Sequence, residues 1–292
     1  MKTLEVTTRI SIKNIAFMTD LSTASYAALP FVKEFARFYG AKVWGFYAQG
    51  TVPSLVLPTA ELDLGVANKD LASRLGKDLA GIPQEVAITR GDTWIELASF
   101  IRKNHIDLVV MSTHGRSGVG KALLGSVAET VFRQCPCPVL TVGPKATMHL
   151  DLPVETKEIL YATDFTPEAK AAAAYAISLA QEHQARLVLL HVIEPPKAGE
   201  LAHGGEFVRA TMELLRDLVP SEAELWCKPE HIVEIGSPAE SILKVANQKH
   251  ARLIVLGVKK PQGSLGVTTH FARATAYKVV SEANCPVLTV RG

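Results

Sequence analysis

Short apolar runs alternate along the chain with longer segments in which apolar residues recur at helical spacing. In the first half the short runs are NIAFM, KVWGFYA, QEVAIT, DLVVM and PVLTV. Runs of this length that are apolar on both faces are typical of strands in a parallel sheet covered by helices. The longer segments, such as TWIELASFIRKNH, predict amphipathic helices. The alternation therefore predicts an α/β fold.

The order of these segments predicts how the sheet is built. It is strand, helix, strand, long connection, strand, helix, strand, glycine-rich loop, helix, strand. Pro30 weakens the start of the first helix and Gly40 marks its end, while Asp92 or Thr93 is the expected cap of the next. We expect a doubly wound sheet of five mainly parallel strands, in which ligands bind beyond the carboxyl ends of the strands.

The second half of the chain repeats the first. IAFMTDLS recurs as ILYATDFT, so that Thr19-Asp20 corresponds to Thr163-Asp164, and CPVLTV ends both halves. GDTWIELASFIRKNHIDLVVM is matched by GSPAESILKVANQKHARLIVL. The spacing between matched residues lengthens after these segments, in the region of the glycine-rich loop. The two halves have therefore diverged where a ligand loop is expected.

The repeat divides the chain into two domains of similar length. We place them at residues 1–146 and 147–292, because GPKATMHLDLPVETK contains turn-forming residues and no sustained period. Each domain is expected to contain its own five-stranded sheet.

Composition and charge narrow the function classes. Of the 292 residues, 48% are hydrophobic and 21% are charged, and the formal net charge is +2. Basic residues are scattered without interleaved aromatics, which argues against nucleic acid as a partner. The start MKTLEVTTRISIKNI is polar, and no run approaches the roughly 20 apolar residues of a membrane span. We therefore expect a cytoplasmic protein without a membrane partner.

The cysteines do not predict a metal or redox site. Cys135, Cys137, Cys227 and Cys285 lack the paired spacing and the histidines of a metal centre, and a chain of this size does not need disulfides. We expect reduced, buried thiols.

The candidate chemistry lies in residues 111–131, MSTHGRSGVGKALLGSVAETV. A G-x-x-x-x-G-K-[ST] phosphate loop fits Gly115, Gly120 and Lys121, but Ala122 stands where a magnesium-binding hydroxyl is required. A structural turn is the second interpretation, since glycines adopt conformations that are closed to other residues.

An anion site at the start of a helix is the third interpretation. Gly125 and Ser126 open the helical pattern VAETVFRQ, whose first N–H groups and dipole favour a phosphate. Ser126 either donates its hydroxyl to the ligand or caps the helix. Gly115 and Gly118 permit close approach of the backbone, and Arg116 adds positive charge.

Several motifs together resemble one known family. MTDLS and ATDFT at the domain starts, MSTHGRSG followed by LLGSVAETV, and the two CPVLTV ends resemble universal stress proteins, as two UspA-type domains in tandem. The resemblance covers essentially the whole chain and implies the adenine nucleotide alpha hydrolase-like fold. In ATP-binding members the loop pattern is G-x2-G-x9-G-[ST], and here Ser112 replaces its first glycine.

This resemblance implies an adenine nucleotide site in the first domain, with ATP as ligand, with or without Mg²⁺. The implied contacts are Met18, Asp20 and Ala48 for the base and ribose, Met111 and Ser112 for the ribose and phosphates, and Gly115, Gly125, Ser126 and Val127 for the phosphates. From the residues alone, a helix cap is an equally supported role for Asp20. His114 has no partner that would make it catalytic, so we expect a structural loop residue.

The second domain has lost this loop pattern. Gly257 restores the first glycine, but Lys260 replaces the second, and Arg273-Ala274 stand where Gly125-Ser126 stand. A long side chain in place of bare backbone predicts a degenerate site. The cations Lys259, Lys260 and Arg273 are expected to be solvated.

The expected function is that of a stress-response protein that binds ATP in its first domain and acts by regulation. We predict no catalytic residues and no enzyme, with slow ATP hydrolysis left open. The alternatives are a nucleotide-independent interaction module and a weak ATP hydrolase. Family domains pair through their last strands, which implies a homodimer or an internal pseudo-dimer through Pro138–Val142 and Pro286–Val290. The sequence identifies no protein partner.

Overall fold

The computed structural model describes residues 9–50, 63–113, 124–146, 157–195, 204–220, 227, 229–259 and 267–292; at 204 and 267–273 it describes the backbone only. Its contacts divide the chain into two compact units. The first unit is Ser11–Pro144, and the second is Lys145–Gly292 with the preceding segment that ends at Ile10. Within the second unit, the N–H of Ile10 donates a hydrogen bond to Ser178 Oγ at 2.9 Å. The domain boundary after residue 146 stays a prediction.

The first unit contains a parallel sheet with helices between its strands. Its elements are β1 (Asn14–Met18), α1 (Thr23–Tyr26), α2 (Leu29–Tyr39), β2 (Lys42–Gln49), α3 (Leu64–Asp78), β3 (Gln84–Arg90), α4 (Thr93–Lys103), β4 (Leu108–Ser112), α5 (Ser126–Gln134) and β5 (Val139–Val142). The strand order is β3-β2-β1-β4-β5, and each of these pairs is parallel.

The second unit repeats this architecture. Its elements are β6 (Glu158–Ala162), α6 (Pro167–Glu182), β7 (Arg186–Ile193), α7 (Gly204–Arg216), β8 (Glu230–Ile235), α8 (Pro238–Gln248), β9 (Leu253–Val258), α9 (Val267–Glu282) and β10 (Val287–Arg291). The strand order is β8-β7-β6-β9-β10, again with parallel pairs. The predicted α/β fold with doubly wound, mainly parallel sheets is confirmed.

Burial explains which strands have continuous apolar sequences. The inner strands β1 and β4 are buried at nearly every position, because helices cover both faces of the sheet. The edge strands β3 and β8 are mostly half-buried, since each has a neighbouring strand on one side only.

The predicted long connections contain helices α3 and α7, which the sequence pattern did not predict. In α3 the buried residues Ala67, Leu71 and Leu75 do recur at helical spacing, but Gly65 and Gly76 weaken that signal.

The first helical segment of each unit differs in continuity. In the first unit Pro30 lies at the start of α2, and the segment is split into α1 and α2. In the second unit Pro167 lies at the start of a single helix of 16 residues, α6. Proline is accepted at the first helical positions because its missing N–H has no intrahelical role there.

The chain order locates the expected ligand edge. From β1 the chain adds β2 and β3 on one side, and it then crosses to add β4 on the other. The carboxyl ends of β1 and β4 therefore form the topological switch point, where open α/β sheets bind ligands.

Candidate functional site

A cavity of about 280 Å³ opens at this switch point of the first unit. The ends of β1, β2 and β4 and the starts of α4 and α5 line it. The lining residues are Met18, Thr19, Asp20, Ser25, Phe46, Tyr47, Ala48, Thr93, Met111, Ser112, Thr113, Gly125, Ser126, Val127 and Ala128.

The predicted site residues on the described segments all meet in this cavity. They are Met18, Asp20, Ala48, Met111, Ser112, Gly125, Ser126 and Val127. The remaining predicted contacts, Gly115, Arg116 and Gly118, lie outside the described residues, as does His114.

Other lining residues were not predicted from the sequence. They are Thr19, Ser25, Phe46, Tyr47, Thr93, Thr113 and Ala128. Most are next neighbours of predicted residues, and Thr93 follows the third strand, whose carboxyl end lies at the same edge. Ser25 carried no such signal, because it enters the cavity only through the folding of α1.

Apolar side chains form one wall of the cavity. Met18 pairs in register with Phe46 on one side and with Met111 on the other. Residues paired in a parallel sheet project from the same face, so these three side chains lie together. Met18, Phe46 and Met111 are at most 7% exposed. The wall can therefore bury a flat apolar group such as a purine ring.

The backbone of Ala48 offers a donor and an acceptor beside that wall. The N–H of Thr19 donates to the carbonyl oxygen of Phe46 at 3.1 Å, and the N–H of Gly91 donates to that of Gln49 at 3.0 Å. Alternate residues of β2 thus face β1 and β3. Ala48 faces the β1 side, where β1 has already ended at Met18. Its N–H and C=O therefore face the space above the end of β1.

The turn after β1 is held by side-chain hydrogen bonds. Asp20 Oδ1 accepts the N–H of Ser22 at 3.0 Å and its hydroxyl at 2.5 Å. Ser22 is the N-cap of α1 and accepts the N–H of Ser25 at 3.2 Å. Leu21, which lies between Asp20 and Ser22, has a φ of 65°. The helix cap is therefore Ser22, and the alternative role of Asp20 as the cap itself is wrong.

Helix α5 begins at the cavity. Gly125 is its N-cap, without a side-chain capping bond, and Ser126 is its first residue. The alternative in which Ser126 caps the helix is therefore wrong. The first N–H groups of an α-helix have no partner within the helix, so those of Ser126, Val127 and Ala128 are available at the cavity edge.

Among the described residues, neither packing nor backbone conformation requires a glycine at position 125. Its φ is −58°, which any residue adopts. The nearest described atom that a Cβ there would meet is the carbonyl oxygen of Thr113 at 3.9 Å, an ordinary contact. What the glycine provides is bare backbone at the start of α5, facing the cavity.

In the second unit, packing accounts for the presence of glycine at position 257. A Cβ at this position would lie 2.4 Å from both the N and Cα of Ala169, in the first turn of α6. The glycine is therefore required by the packing of α6 on β9. Its counterpart in the first unit is Ser112, whose Cβ is accommodated.

The helix start at the cavity also differs between the units. Residues Arg273 and Ala274, which match Gly125 and Ser126, lie inside α9, because that helix begins at Val267. Backbone N–H groups inside a helix bond to carbonyl oxygens one turn earlier. The side chain of Arg273 and the whole of Lys260 lie outside the described positions.

Charge and thiols complete the description of the site. Asp20 is the only charged residue in the described lining.

The four cysteines are free thiols; Cys135, Cys227 and Cys285 are buried as expected, whereas Cys137 is half-buried. Within the described segments, no three His, Cys, Asp or Glu residues cluster as a metal centre would. No described helix is long and apolar enough to cross a membrane.

Comparison with known proteins identifies the family. The model of the universal stress protein family matches residues 11–143 and again 155–291. A universal stress protein of Thermus aquaticus is 39% identical over 146 residues, which are 46% of this chain and 98% of the relative. One from Mycobacterium bovis is 25% identical over 237 residues, 75% of this chain and 74% of the relative.

A solved structure shows the same fold over nearly the whole chain. The universal stress protein from Archaeoglobus fulgidus DSM 4304 superposes with a TM-score of 0.71 at 20% identity, covering 96% of this chain and 97% of that one. Together with the double family match, this shows that the chain belongs to the universal stress protein family and contains two of its domains in tandem.

Proposed function

We propose that the first unit binds an adenine nucleotide, with ATP as the ligand, and that the protein acts through the bound nucleotide in regulation. Gly125 is the observation that carries this proposal. A glycine that packing against the described residues does not require, placed at a helix N-terminus in a cavity, is accounted for by a ligand that approaches the backbone.

The base is assigned to the end of β2. The wall formed by Met18, Phe46 and Met111 buries the ring faces, and the adjacent donor and acceptor of Ala48 match the ring nitrogen and amino group on one edge of adenine. A small number of placed polar groups on an apolar wall is typical of a cofactor site.

The phosphates are assigned to the start of α5. Its N–H groups and the positive end of its dipole favour negative charge, and the hydroxyl of Ser126 adds a donor. Asp20, the one carboxylate of the described lining, is bonded to Ser22. Any Mg²⁺ would therefore be held mainly by the phosphates and water, as this ion commonly is in nucleotide sites.

The residue types in the described lining favour nucleotide binding without rapid hydrolysis. The described lining contains no His, Lys, Cys or Glu that could act as a base or nucleophile beside Asp20. Slow hydrolysis needs no dedicated residue and is compatible with this proposal.

Calorimetric titration of the nucleotide-free chain with ATP tests the proposal. We expect saturation at about one nucleotide per chain, because the second unit lacks the helix start at the matching position. Absence of any adenine nucleotide binding, both in the titration and by mass spectrometry of freshly purified protein, would instead favour the nucleotide-independent interaction module.

A further inference from the structure

Two thiols meet where helix α5 ends and strand β5 begins. Cys135 is the C-cap of α5, and its N–H donates to the carbonyl oxygen of Val131 at 2.9 Å. Cys137 follows after Pro136, and β5 begins two residues later at Val139. The Sγ atoms of Cys135 and Cys137 lie 3.5 Å apart, so that one thiol donates a hydrogen bond to the other. The nucleotide function proposed above uses neither thiol.

The backbone between these residues allows the two sulfurs to bond covalently. A disulfide joins Cα atoms that are about 4.4–6.8 Å apart, whereas two fully extended residues span at most about 7 Å. The chain bends at Pro136 and Cys137, which brings the Cα atoms of Cys135 and Cys137 closer together than full extension would. Rotation of two side chains that are already in contact can therefore bring their sulfurs to bonding distance.

The two thiols differ in their access to solvent. Cys135 is 0% exposed, whereas Cys137 is half-buried. A small dissolved oxidant therefore reaches Cys137 first, and the thiol of Cys135 lies in contact behind it. An accessible thiol beside a second, resolving thiol is the arrangement of a cysteine pair that oxidises reversibly.

The second unit shows that the fold does not need a thiol at position 135. The segment Cys135-Pro-Cys137-Pro corresponds there to Ala283-Asn-Cys285-Pro. The N–H of Ala283 donates to the carbonyl oxygen of Val279 at 2.9 Å, as that of Cys135 does to the matching residue of α5. Ala283 is 3% exposed, so the same buried place is filled by alanine. Cys135→Ala is therefore expected to fold.

We propose that Cys135 and Cys137 form a reversible redox pair, which a hydroperoxide oxidises to a disulfide. The Cys137 sulfur attacks one oxygen of hydrogen peroxide, the O–O bond breaks, and Cys137 becomes a sulfenic acid while the other oxygen leaves as water. The Cys135 sulfur then attacks Cys137 Sγ, the S–O bond breaks, and a second water leaves. The two thiol protons end in the two waters. A dithiol reductant restores both thiols by exchange.

The surroundings of the pair favour slow oxidation over rapid removal of peroxide. The thiolate is the reacting form of a cysteine. The hydrogen bond with Cys135, and secondarily burial, raise the pKa of Cys137 above its ordinary value. Because the thiolate is scarce at neutral pH, we expect the disulfide to form in an excess of hydroperoxide.

Mass spectrometry of the full chain after exposure to excess hydrogen peroxide and blocking of the remaining thiols tests the inference. Trypsin releases residues 134–145 as one peptide, which contains both thiols and neither Cys227 nor Cys285. We expect this peptide from the wild-type chain to lose two hydrogens and to regain them with dithiothreitol. In Cys135→Ala, we expect Cys137 to proceed to the sulfinic and sulfonic acids, which dithiothreitol does not reduce.

Three outcomes would overturn the redox pair. The first is irreversible oxidation of Cys137 in the wild-type chain to the extent seen in Cys135→Ala, since the second thiol would then not react with the first. The second is a disulfide between two chains, seen as a dimer in non-reducing electrophoresis. The third is a pair that stays reduced during prolonged exposure to hydrogen peroxide that fully oxidises glutathione.

A second variant separates the chemistry of the pair from packing. Cys135→Ser keeps a hydrogen-bonding group of similar size beside Cys137 but cannot form a disulfide, so it should behave as Cys135→Ala does. A reversible loss of two hydrogens in the 134–145 peptide of either variant would also contradict the proposal. These outcomes do not depend on the proposed nucleotide function, because no step of the experiment involves a nucleotide.

Discussion

The two units retain different glycines of one loop pattern, and for different reasons. In the first unit position 125 is a glycine, although a Cβ there would meet no described atom closer than an ordinary contact at 3.9 Å. In the second unit Gly257 is kept because a Cβ would lie 2.4 Å from the backbone of α6. Glycines of one loop pattern thus have different causes: Gly125 presents bare backbone to the cavity, whereas Gly257 allows the close packing of a helix.

The start of the helix that follows the glycine-rich loop also differs between the two units. Helix α5 begins at Ser126, so its N-terminus faces the cavity, whereas α9 begins at Val267 and passes through the matching residues. A helix interior offers no unpaired N–H groups to an anion. The second unit therefore keeps the sheet and the turn after the first strand, but it lacks the helix start to which we assign the phosphates.

Copying the second unit into the first is the change with the largest expected effect. Gly125→Arg combined with Ser126→Ala places a long side chain over the helix start and removes a hydroxyl. We expect ATP affinity to fall by a factor of about one hundred or more, through steric exclusion and lost hydrogen bonds. Calorimetric titration measures this.

Thr130→Ala is the matched control for that double variant. Thr130 lies on the same helix, donates its hydroxyl to the carbonyl oxygen of Ser126 at 2.9 Å, and does not line the cavity. It should bind ATP as the wild-type chain does. Unchanged affinity in the double variant would contradict the assignment of the phosphates to α5.

The packing role of Gly257 can be tested by adding one methyl group. Gly257→Ala should destabilise the second unit by on the order of 3 kcal/mol, because the backbone of α6 must move. Hydrogen exchange followed by mass spectrometry should show loss of protection in peptides from α6 and β9. Ser112→Gly, the reciprocal change, should leave the sheet of the first unit protected; a protected α6 in Gly257→Ala would refute the packing explanation.

Acid should affect the two units differently through His183. Burial, and secondarily the charge of Lys157, lower the pKa of His183 to about 4. A histidine with a lowered pKa favours folding while it is neutral. Its contribution is therefore complete above a pH of about 6.5, the unperturbed pKa, and is lost as the pH falls through about 4.

The matched variant is His183→Tyr, because Tyr39 occupies the corresponding position at the end of α2. Unfolding of the second unit, followed by hydrogen exchange between pH 7 and pH 4.5, should accelerate more steeply in the wild-type chain than in His183→Tyr. Parallel pH profiles in the two chains would show that the charge on His183 does not matter.

The smallest expected effect concerns Gln184, the residue that follows the C-terminal end of helix α6. Gly40 ends α2 with a φ of 62°, and Gln184 follows α6 with a φ of 51°. A left-handed conformation costs a residue with a Cβ roughly 1 kcal/mol, which glycine avoids. Gln184→Gly should therefore raise the midpoint of thermal unfolding of the second unit slightly. A lowered midpoint would mean that the Gln184 side chain stabilises the fold by more than this strain.

Much of the fold could be predicted because local patterns and the fold agree. The buried strands give continuous apolar runs, and capping residues such as Asp92 mark helix starts, where it accepts the N–H of Trp94 and Ile95. Helix α3 was missed because glycines interrupt its apolar positions. Helix α7 was missed because it follows a segment with a weak hydrophobic pattern. The split between α1 and α2 was only hinted at by Pro30.

The candidate site was predictable where its residues follow strands. Asp20, Ala48 and Met111 each come at the end of a predicted strand, and parallel strands bring their carboxyl ends to one edge. Ser25 could not be predicted, because it reaches the cavity through the turn that Ser22 and Asp20 fix. The role of Gly257 was also hidden, since the residue that excludes a Cβ there is distant in the chain.

The sequence by itself determined the two-fold repeat, the alternation of strands and helices, the family and the neighbourhood of the ligand edge. These follow from periodicity and motifs, which are local properties of the chain. Only the tertiary structure decided which contacts each glycine makes, where α5 and α9 begin, and that Ser25 joins Thr19 and Asp20 in the lining of the cavity. Those features depend on which atoms meet across the fold, and one-dimensional patterns do not contain that information.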